Sequence, residues 1–419
     1  MLQRRDFLAT TLATSLLAAL HRTGLAQDTT KPLKILLRGS WQIVNIGDIA
    51  HTPGALAIIE KHLPHAEVIL WSSADLTPEV SQLLTNRFPK LKVVKGSISE
   101  EGKVSTKDLQ AALDWCDFLL HGSGASFVAY TDVARFDRFI QKPFGVYGIT
   151  YSADDPKQIA LLNKAKFAFF RDGISLQFAK DHGVNNPIMG FGPDGAFGTD
   201  LRNDAAAEAF LKQNNLTPGK FLCCIPRYRY TPYWLIKKGR PLDEAKNARN
   251  QEMREHDHAI LREAIIAVAK NSDHKVLVCP EDMTQMQIGK EDIIDKLPKD
   301  VLPRVVWREN YWLTDEALST YMMSSGLFGL EMHSPIMCIG NGIPAIVGRF
   351  EEQTTKGFMW KDIGLADWLF DFDKPEETAK LNETVLSLVN DPQTAKDRAE
   401  KARAFVEQRQ KETILAITS

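Results

Sequence analysis

Cysteine is scarce. The 419 residues hold five, with no C-x-x-C pair, so neither a disulfide scaffold nor a cysteine zinc cluster is encoded. Cys223 and Cys224 are adjacent, and Cys116, Cys279 and Cys338 stand in or beside apolar runs, where buried free thiols are expected. A surplus of positive charge is also missing: 51 basic against 53 acidic side chains give a formal net charge of −2. That argues against a dedicated nucleic-acid binder, whose phosphate contacts need a basic excess. No segment after the leader reaches the ~18 uncharged apolar residues of a spanning helix. Repeats, low-complexity tracts, G-x-S-x-G and Walker sequences do not occur. With 44% hydrophobic and 25% charged residues, the chain is globular rather than disordered or fibrous. Its length suggests two or three domains, at roughly 150 residues each.

The first residues read as an address. Arg4-Arg5 stands directly before an uncharged stretch from Phe7 to Leu20, and Gly24-Leu25-Ala26 supplies small residues for cleavage. The stretch is too short for an ordinary spanning helix, which needs ~20 residues, and suits the core of a signal peptide. The pattern resembles a bacterial twin-arginine export signal. Residues 1–26 are therefore expected to be removed, leaving a periplasmic or otherwise extracytoplasmic protein with no stable membrane insertion.

From Leu33 onward, short apolar runs alternate with helix-period segments. Lys34-Ile35-Leu36-Leu37 reads as a buried strand, followed by a helix from about Pro53 to Leu63. Further strands are expected at 68–71, 91–94, 118–120, 144–147 and 167–170. After a polar break near 200–220 the alternation restarts at Phe221 and continues through 275–278, 304–307, 326–329 and 345–347. Continuous apolar strands between helices predict parallel sheets covered on both faces. The expected fold is α/β, with two Rossmann-like doubly wound domains at 33–200 and 220–370, then C-terminal helices over 371–419.

Open parallel sheets bind ligands beyond the carboxyl ends of their strands, so residues that follow strands carry the chemistry. Asn45-Ile46-Gly47-Asp48 offers either amides at a helix start for an anion or a capped turn. His121-Gly122-Ser123-Gly124 is either a ligand-contacting turn or a tight strand–helix link. Gly190-Phe191-Gly192-Pro193-Asp194-Gly195 matches G-x-G-x-x-G, but no apolar helix follows and Pro193 lacks an amide, so a dinucleotide site is not expected. His256 and His258 share no helix face, and His62 and His65 flank Pro64 at a helix end and read as solvated; neither a metal nor a cofactor is expected. In Pro226 to Trp234, Arg227 and Arg229 suit a phosphate or carboxylate, while Tyr228, Tyr230 and Trp234 offer rings for a sugar; a plain surface loop is the alternative. Glu331-Met332-His333-Ser334-Pro335 opens a helix after a strand. His333 is a candidate acid or base or a structural histidine, and Glu331 could orient its ring.

In order and spacing these segments resemble the polysaccharide pyruvyl transferase family, from about residue 34 to 370. The resemblance rests on Asn45-x-Gly47-Asp48, Gly122 to Gly124, Arg171-Asp172-x-x-Ser175, Pro193-Asp194 with Ala196-Phe197, Arg227, and His333 through Gly342-Ile343-Pro344. It implies two domains facing a cleft, as in B-type glycosyltransferases, and transfer of a pyruvyl unit from phosphoenolpyruvate to the hydroxyls of a glycan acceptor. It further implies that Asn45, Gly47, Asp48, Ser123, Arg171, Arg227 and Arg229 hold the donor. Tyr228, Tyr230 and Trp234 would then meet the acceptor, and His333 and Asp172 would serve the chemistry. Where the family pattern has an arginine two positions before the histidine, this chain has Glu331, and its leader points away from cytoplasmic phosphoenolpyruvate. These two departures keep open another donor on the same scaffold, or a carbohydrate-binding protein without catalysis.

Overall fold

The computed structural model describes residues 31–39, 43–72 and 76–419; the twin-arginine leader lies outside them. Two parallel sheets carry the chain. The first runs in the order β3-β2-β1-β4-β5-β6-β7, with β1 Lys34–Arg38, β2 Glu67–Ser72, β3 Lys92–Lys95, β4 Phe118–His121, β5 Phe144–Ile149, β6 Ala168–Phe170 and β7 Met189–Phe191. The second runs β10-β9-β8-β11-β12-β13, with β8 Phe221–Ile225, β9 Lys275–Val278, β10 Val305–Trp307, β11 Gly326–Gly329, β12 Ala345–Arg349 and β13 Leu369–Asp371. In β1 the side chains alternate between two cores, Leu36 on one face and Ile35 and Leu37 on the other, as a strand with both faces covered requires.

Polar punctuation starts the helices. Thr77, Thr106, Asp155, Asp172, Asn203 and Asp243 each cap a helix by accepting a backbone N–H, which satisfies amides that the first turn leaves unpaired. The helix expected to begin near Pro53 instead spans Ile46–His62. Asn45 caps it, and Pro53 is carried inside. The Gly190 segment forms the edge strand β7, pairing with β6. Both β7 and β13 escape a reading based on apolar runs, because Gly190 interrupts one and Asp371 ends the other.

The two halves share a core. Ile46, Ala50, Ala196 and Phe197 from the first half belong to the apolar cluster of the second. The C-terminal helix Pro392–Ile414 crosses between them: Ala395, Ala399, Ala402 and Val406 pack into the second half, while Ile414 and Ile417 pack into the first. Lys166 Nζ donates to the carbonyl of Ile417 at 2.9 Å. No helix among the described residues is long and apolar enough to cross a membrane.

Backbone meets backbone where the halves touch. A Cβ added at Gly340, the last residue of the helix His333–Gly340, would lie 2.0 Å from the carbonyl oxygen of Phe197. Rigid main chain on both sides cannot yield to it. Gly340→Ala should therefore destabilise the protein by ~1–3 kcal/mol through overpacking, measured as a lower midpoint in thermal or urea unfolding; an unchanged midpoint would show that the halves can separate freely at this point.

Candidate active site between the sheets

Each sheet reverses its strand order once, between β1 and β4 and between β8 and β11. Such switch points open crevices at the strand ends. The segments after β1 and β4 deliver Asn45, Asp48, His51 and Ser123; those after β8 and β11 deliver Arg227, Glu331 and His333. The crevices meet. The backbone of Val44 to Ile46 pairs with that of Glu281 to Met283: Ile46 N donates to Glu281 O at 3.0 Å, Met283 N to Val44 O at 3.0 Å, and Asn45 bridges to Asp282.

Two imidazoles face each other across this seam, ring centroids 4.9 Å apart and nearly perpendicular. His51 comes from the helix Ile46–His62 and His333 from the start of the helix His333–Gly340. Their approach depends on Gly47, because a Cβ there would stand 2.1 Å from Cβ of His333. Each ring is held by a fully buried carboxylate. His51 Nδ1 lies 2.9 Å from Asp194 Oδ1 and 2.9 Å from Ser123 Oγ. His333 Nδ1 lies 3.2 Å from Glu281 Oε1, and Glu281 Oε2 accepts from Ser334 N at 2.7 Å. Carboxylate acceptors place the ring protons on Nδ1. His333 Nε2 is buried and makes no hydrogen bond.

Charge surrounds the pair. Arg171, fully buried, donates from Nη1 to Asp194 Oδ2 at 2.7 Å and from Nε to Thr150 at 2.8 Å, and its Nη2 has no partner. Burial by itself would raise the Asp194 carboxyl; His51, Arg171 and His333 outweigh it and hold the group well below the usual range. Burial, with Lys356 and His51, keeps His333 well below an ordinary histidine, so its ring is neutral at pH 7. Arg227 Nη1 donates to Glu331 Oε2 at 2.8 Å, and Glu331 Oε1 accepts from Gln285 at 2.7 Å. Lys356 makes no hydrogen bond or ion pair among the described residues. Its ammonium is pulled down by burial and by Arg171, against the pull of Glu331 and Glu281. The hydroxyl of Tyr311 is buried without a partner and pushed above its usual range by burial, with Asp282, Glu281 and Asp48 adding to the shift.

Asn45, Gly47, Asp48, Ser123, Arg171, Arg227 and His333 thus gather around one seam, but several stand in roles other than those expected. The amides of Gly47 and Asp48 point at the Asn45 side chain, at 2.7 and 3.3 Å; this is the capped-turn alternative, and those amides are not available to a donor anion. Ser123 Oγ accepts from Gly195 N at 2.9 Å and steadies His51. Arg229 is corrected outright: its guanidinium is buried against Asp257, Glu352 and Asp373 and over the Phe350 ring, which leaves no donor group for a ligand. Tyr228 donates its hydroxyl to Asp292 at 3.0 Å, and the Tyr230 backbone is held by Asn250. Trp234 sits partly exposed in the short helix Tyr233–Ile236.

Asp172 is also corrected. It caps the helix Gly173–Asp181, accepting from Ser175 N at 2.7 Å on one oxygen and from Ser175 Oγ at 2.9 Å on the other, so its carboxylate is engaged in the cap. His51, Asp194, Glu281 and Lys356 were not assigned roles from sequence. Asp194 stood in the Pro193-Asp194 motif of the resemblance, whereas His51, Glu281 and Lys356 lay outside every motif. The expectation of no ligand set rested on linear spacing; the fold brings one donor atom each of Asp48, His51 and His333 within 4.8 Å of one another.

Facing Rossmann-type sheets with a site at their switch points define a B-type, glycosyltransferase-like α/β protein. HepE from Anabaena, solved with UDP-glucose, superposes with a TM-score of 0.57 at 13% identity over 92% of this chain and 98% of its own. MnaA from S. aureus, solved with UDP, gives 0.55 at 12% identity, covering 91% and 95%. The UDP-GlcNAc 2-epimerase of Neisseria meningitidis gives 0.53 at 11%, covering 92% and 100%. At such identities the likeness is one of fold. No curated protein matches the sequence significantly. The family model of the polysaccharide pyruvyl transferases matches residues 45–347, and the chain belongs to that family of transferases.

One contact near the corrected Asp172 titrates. Asp362 accepts from Gly173 N at 2.8 Å across the two halves. Burial pushes its carboxyl up to about 6, against the Gly173 hydrogen bond and with Asp172 adding repulsion. The folded pKa lies above the unfolded value of ~3.9, so the native state binds more protons between the two. Its contribution therefore falls as pH rises from ~4 through the folded value and is flat above. Asp362→Asn should flatten this slope by about 1–2 kcal/mol after solvent screening, read from urea unfolding at a series of pH values; a variant that keeps the wild-type slope would refute the assignment.

Proposed function

We propose that the protein is an extracytoplasmic pyruvyl transferase that places a pyruvate ketal on hydroxyls of a cell-envelope glycan, with phosphoenolpyruvate or a close enol phosphate as donor. Family membership supports the class of reaction. The observation that carries the reading to these residues is the meeting of Arg227 and Lys356 with the His51–His333 pair at the seam. A donor bearing a carboxylate and a phosphate needs cations, and a hydroxyl nucleophile needs an uncharged lone pair to draw its proton.

The first acceptor hydroxyl adds through oxygen to the central enol carbon while its proton, lost at the imidazole pair, is passed to the methylene carbon, which becomes a methyl group. The second hydroxyl then displaces phosphate from that same carbon, and its proton leaves with the phosphate. The products are a cyclic ketal and inorganic phosphate, one per transfer. Cations positioned on the leaving phosphate lower the barrier because charge accumulates there.

The Arg227–Glu331 pair favours one other reading. With its guanidinium partly neutralised, the site suits a donor with less negative charge at this point. Three of the similar folds were solved with UDP or a UDP-sugar, and a sugar nucleotide is the donor such a site would take.

Incubating the purified protein with phosphoenolpyruvate and envelope glycans should release phosphate and form a ketal methyl group in equal amounts, seen by phosphate assay and NMR. Consumption of UDP-sugars with no phosphate released from phosphoenolpyruvate would decide for the second reading. Lys356→Ala should weaken donor binding by ~30- to 150-fold, the loss of a charge-assisted contact. His333→Ala should leave donor affinity near wild type and lower turnover by ~10²- to 10⁴-fold.

Export is tested separately. A fusion of residues 1–30 to a folded reporter should leave the bacterial cytoplasm, and Arg4→Lys with Arg5→Lys should retain it. Export that is indifferent to the pair would remove the twin-arginine assignment.

A further inference from the structure

Asp48, His51 and His333 share more than the seam. Asp48 and His51 are one turn apart on the helix Ile46–His62 and face the same side, and His333 is brought onto that side from the other half by the missing Cβ of Gly47. One donor atom from each lies within 4.8 Å of the others. The geometry points to a site for a divalent transition ion, with two imidazole nitrogens and one carboxylate as protein ligands and the remaining positions open to a substrate oxygen.

Two observations carry this. First, each ring gives Nδ1 to a carboxylate that is fully buried: His51 to Asp194 at 2.9 Å, and His333 to Glu281 at 3.2 Å. Metal-binding histidines are held in this way, since the carboxylate fixes the tautomer, orients the ring and makes the other nitrogen a better ligand. Second, that other nitrogen on His333 is buried and has no hydrogen-bond partner. A buried polar atom left without a partner calls for an explanation, and an ion that it would bind is one.

The donor set narrows the ion. Two nitrogens and one oxygen suit zinc or manganese, and the absence of thiolate disfavours cuprous copper. Hard calcium prefers oxygen ligands alone. At this position the ion would bind and polarise the acceptor hydroxyl; in the ion-free protein the imidazole lone pairs draw off its proton as proposed above. The inference stands on ligand geometry and is independent of which donor the enzyme uses.

The test is direct binding to the chelator-stripped protein, with neither donor nor acceptor present, so it can fail or succeed apart from pyruvyl transfer. Titration calorimetry with zinc and with manganese should give one equivalent per chain for at least one of them. Cobalt(II), as a coloured probe, should develop ligand-field bands on binding. Asp48→Asn keeps the side-chain shape on a half-exposed helix position and should weaken binding by at least ~100-fold, as should His51→Ala and His333→Ala. Asp194→Asn and Glu281→Gln should weaken it by ~10- to 100-fold through loss of orientation. His256→Ala, on an exposed histidine paired with Asp257, should bind as wild type. Circular dichroism checks that each variant is folded, and the isosteric Asp48→Asn decides if an alanine variant is not. No stoichiometric binding of either ion, or undiminished binding in folded Asp48→Asn, would overturn the site.

Discussion

Glu281 joins the two halves of the molecule and the chemistry between them. Its carboxylate is fully buried, accepts from the amide that opens the helix His333–Gly340 and holds the ring of that helix's first residue, while its own carbonyl accepts from Ile46 at the start of the opposing helix. Asn45, the cap of that opposing helix, leans on the same carboxylate at 3.5 Å. A buried carboxylate is costly unless nearly every lone pair is satisfied. The two close donors to Glu281, Ser334 N and the His333 ring, come from its own half, and Asn45 adds a longer contact from the other. The imidazole pair is then positioned by the same contacts that close the molecule.

The site is built by opposing charges held close rather than by one strong cation. Asp194 binds Arg171 and His51 together, and Glu331 binds Arg227 and Gln285 together. Each arginine is thereby oriented, and each is also partly neutralised. Lys356, from the short helical turn Thr355–Phe358 after β12, supplies the cation that no carboxylate holds through a hydrogen bond. An anionic donor entering the seam would meet Lys356 as its freest counter-charge, and the Arg227–Glu331 pair would have to rearrange or share. Glu331 thus engages Arg227 and Gln285 rather than the His333 ring, which Glu281 orients.

The scaffold is widespread and the site is local. Proteins with barely more than a tenth of their residues in common keep the same two-sheet frame, because parallel strands covered by helices need only apolar runs and capped helix starts. What distinguishes this chain lies in a few residues just after β1, β4, β8 and β11, where the strand order reverses and the backbone leaves the sheet.

Much of the frame was legible in the sequence. Apolar runs such as Leu119-Leu120 and Phe221 to Ile225 announced strands buried on both faces, and the glycine and asparagine clusters after them announced the crevice. These signals are local: propensity, periodicity and capping act over a few residues. The strands β7 and β13 carry Gly190 and Asp371 within their runs and so did not register, and the cap at Asn45 starts the helix ahead of Pro53. Arg229 and Asp172 looked like Arg227 and His333 by residue type and neighbourhood; only their partners separate them, a ring of three carboxylates for one and a helix amide for the other. His51 and Glu281 are 230 residues apart in numbering and meet through Asn45, Ile46 and His333, none of which carries a linear record of the other side. The chain by itself determined which residue types stand at the strand ends. Which of them face one another, and which are neutralised by a buried partner, was decided by tertiary structure, because charge pairing and desolvation depend on distances that only packing sets.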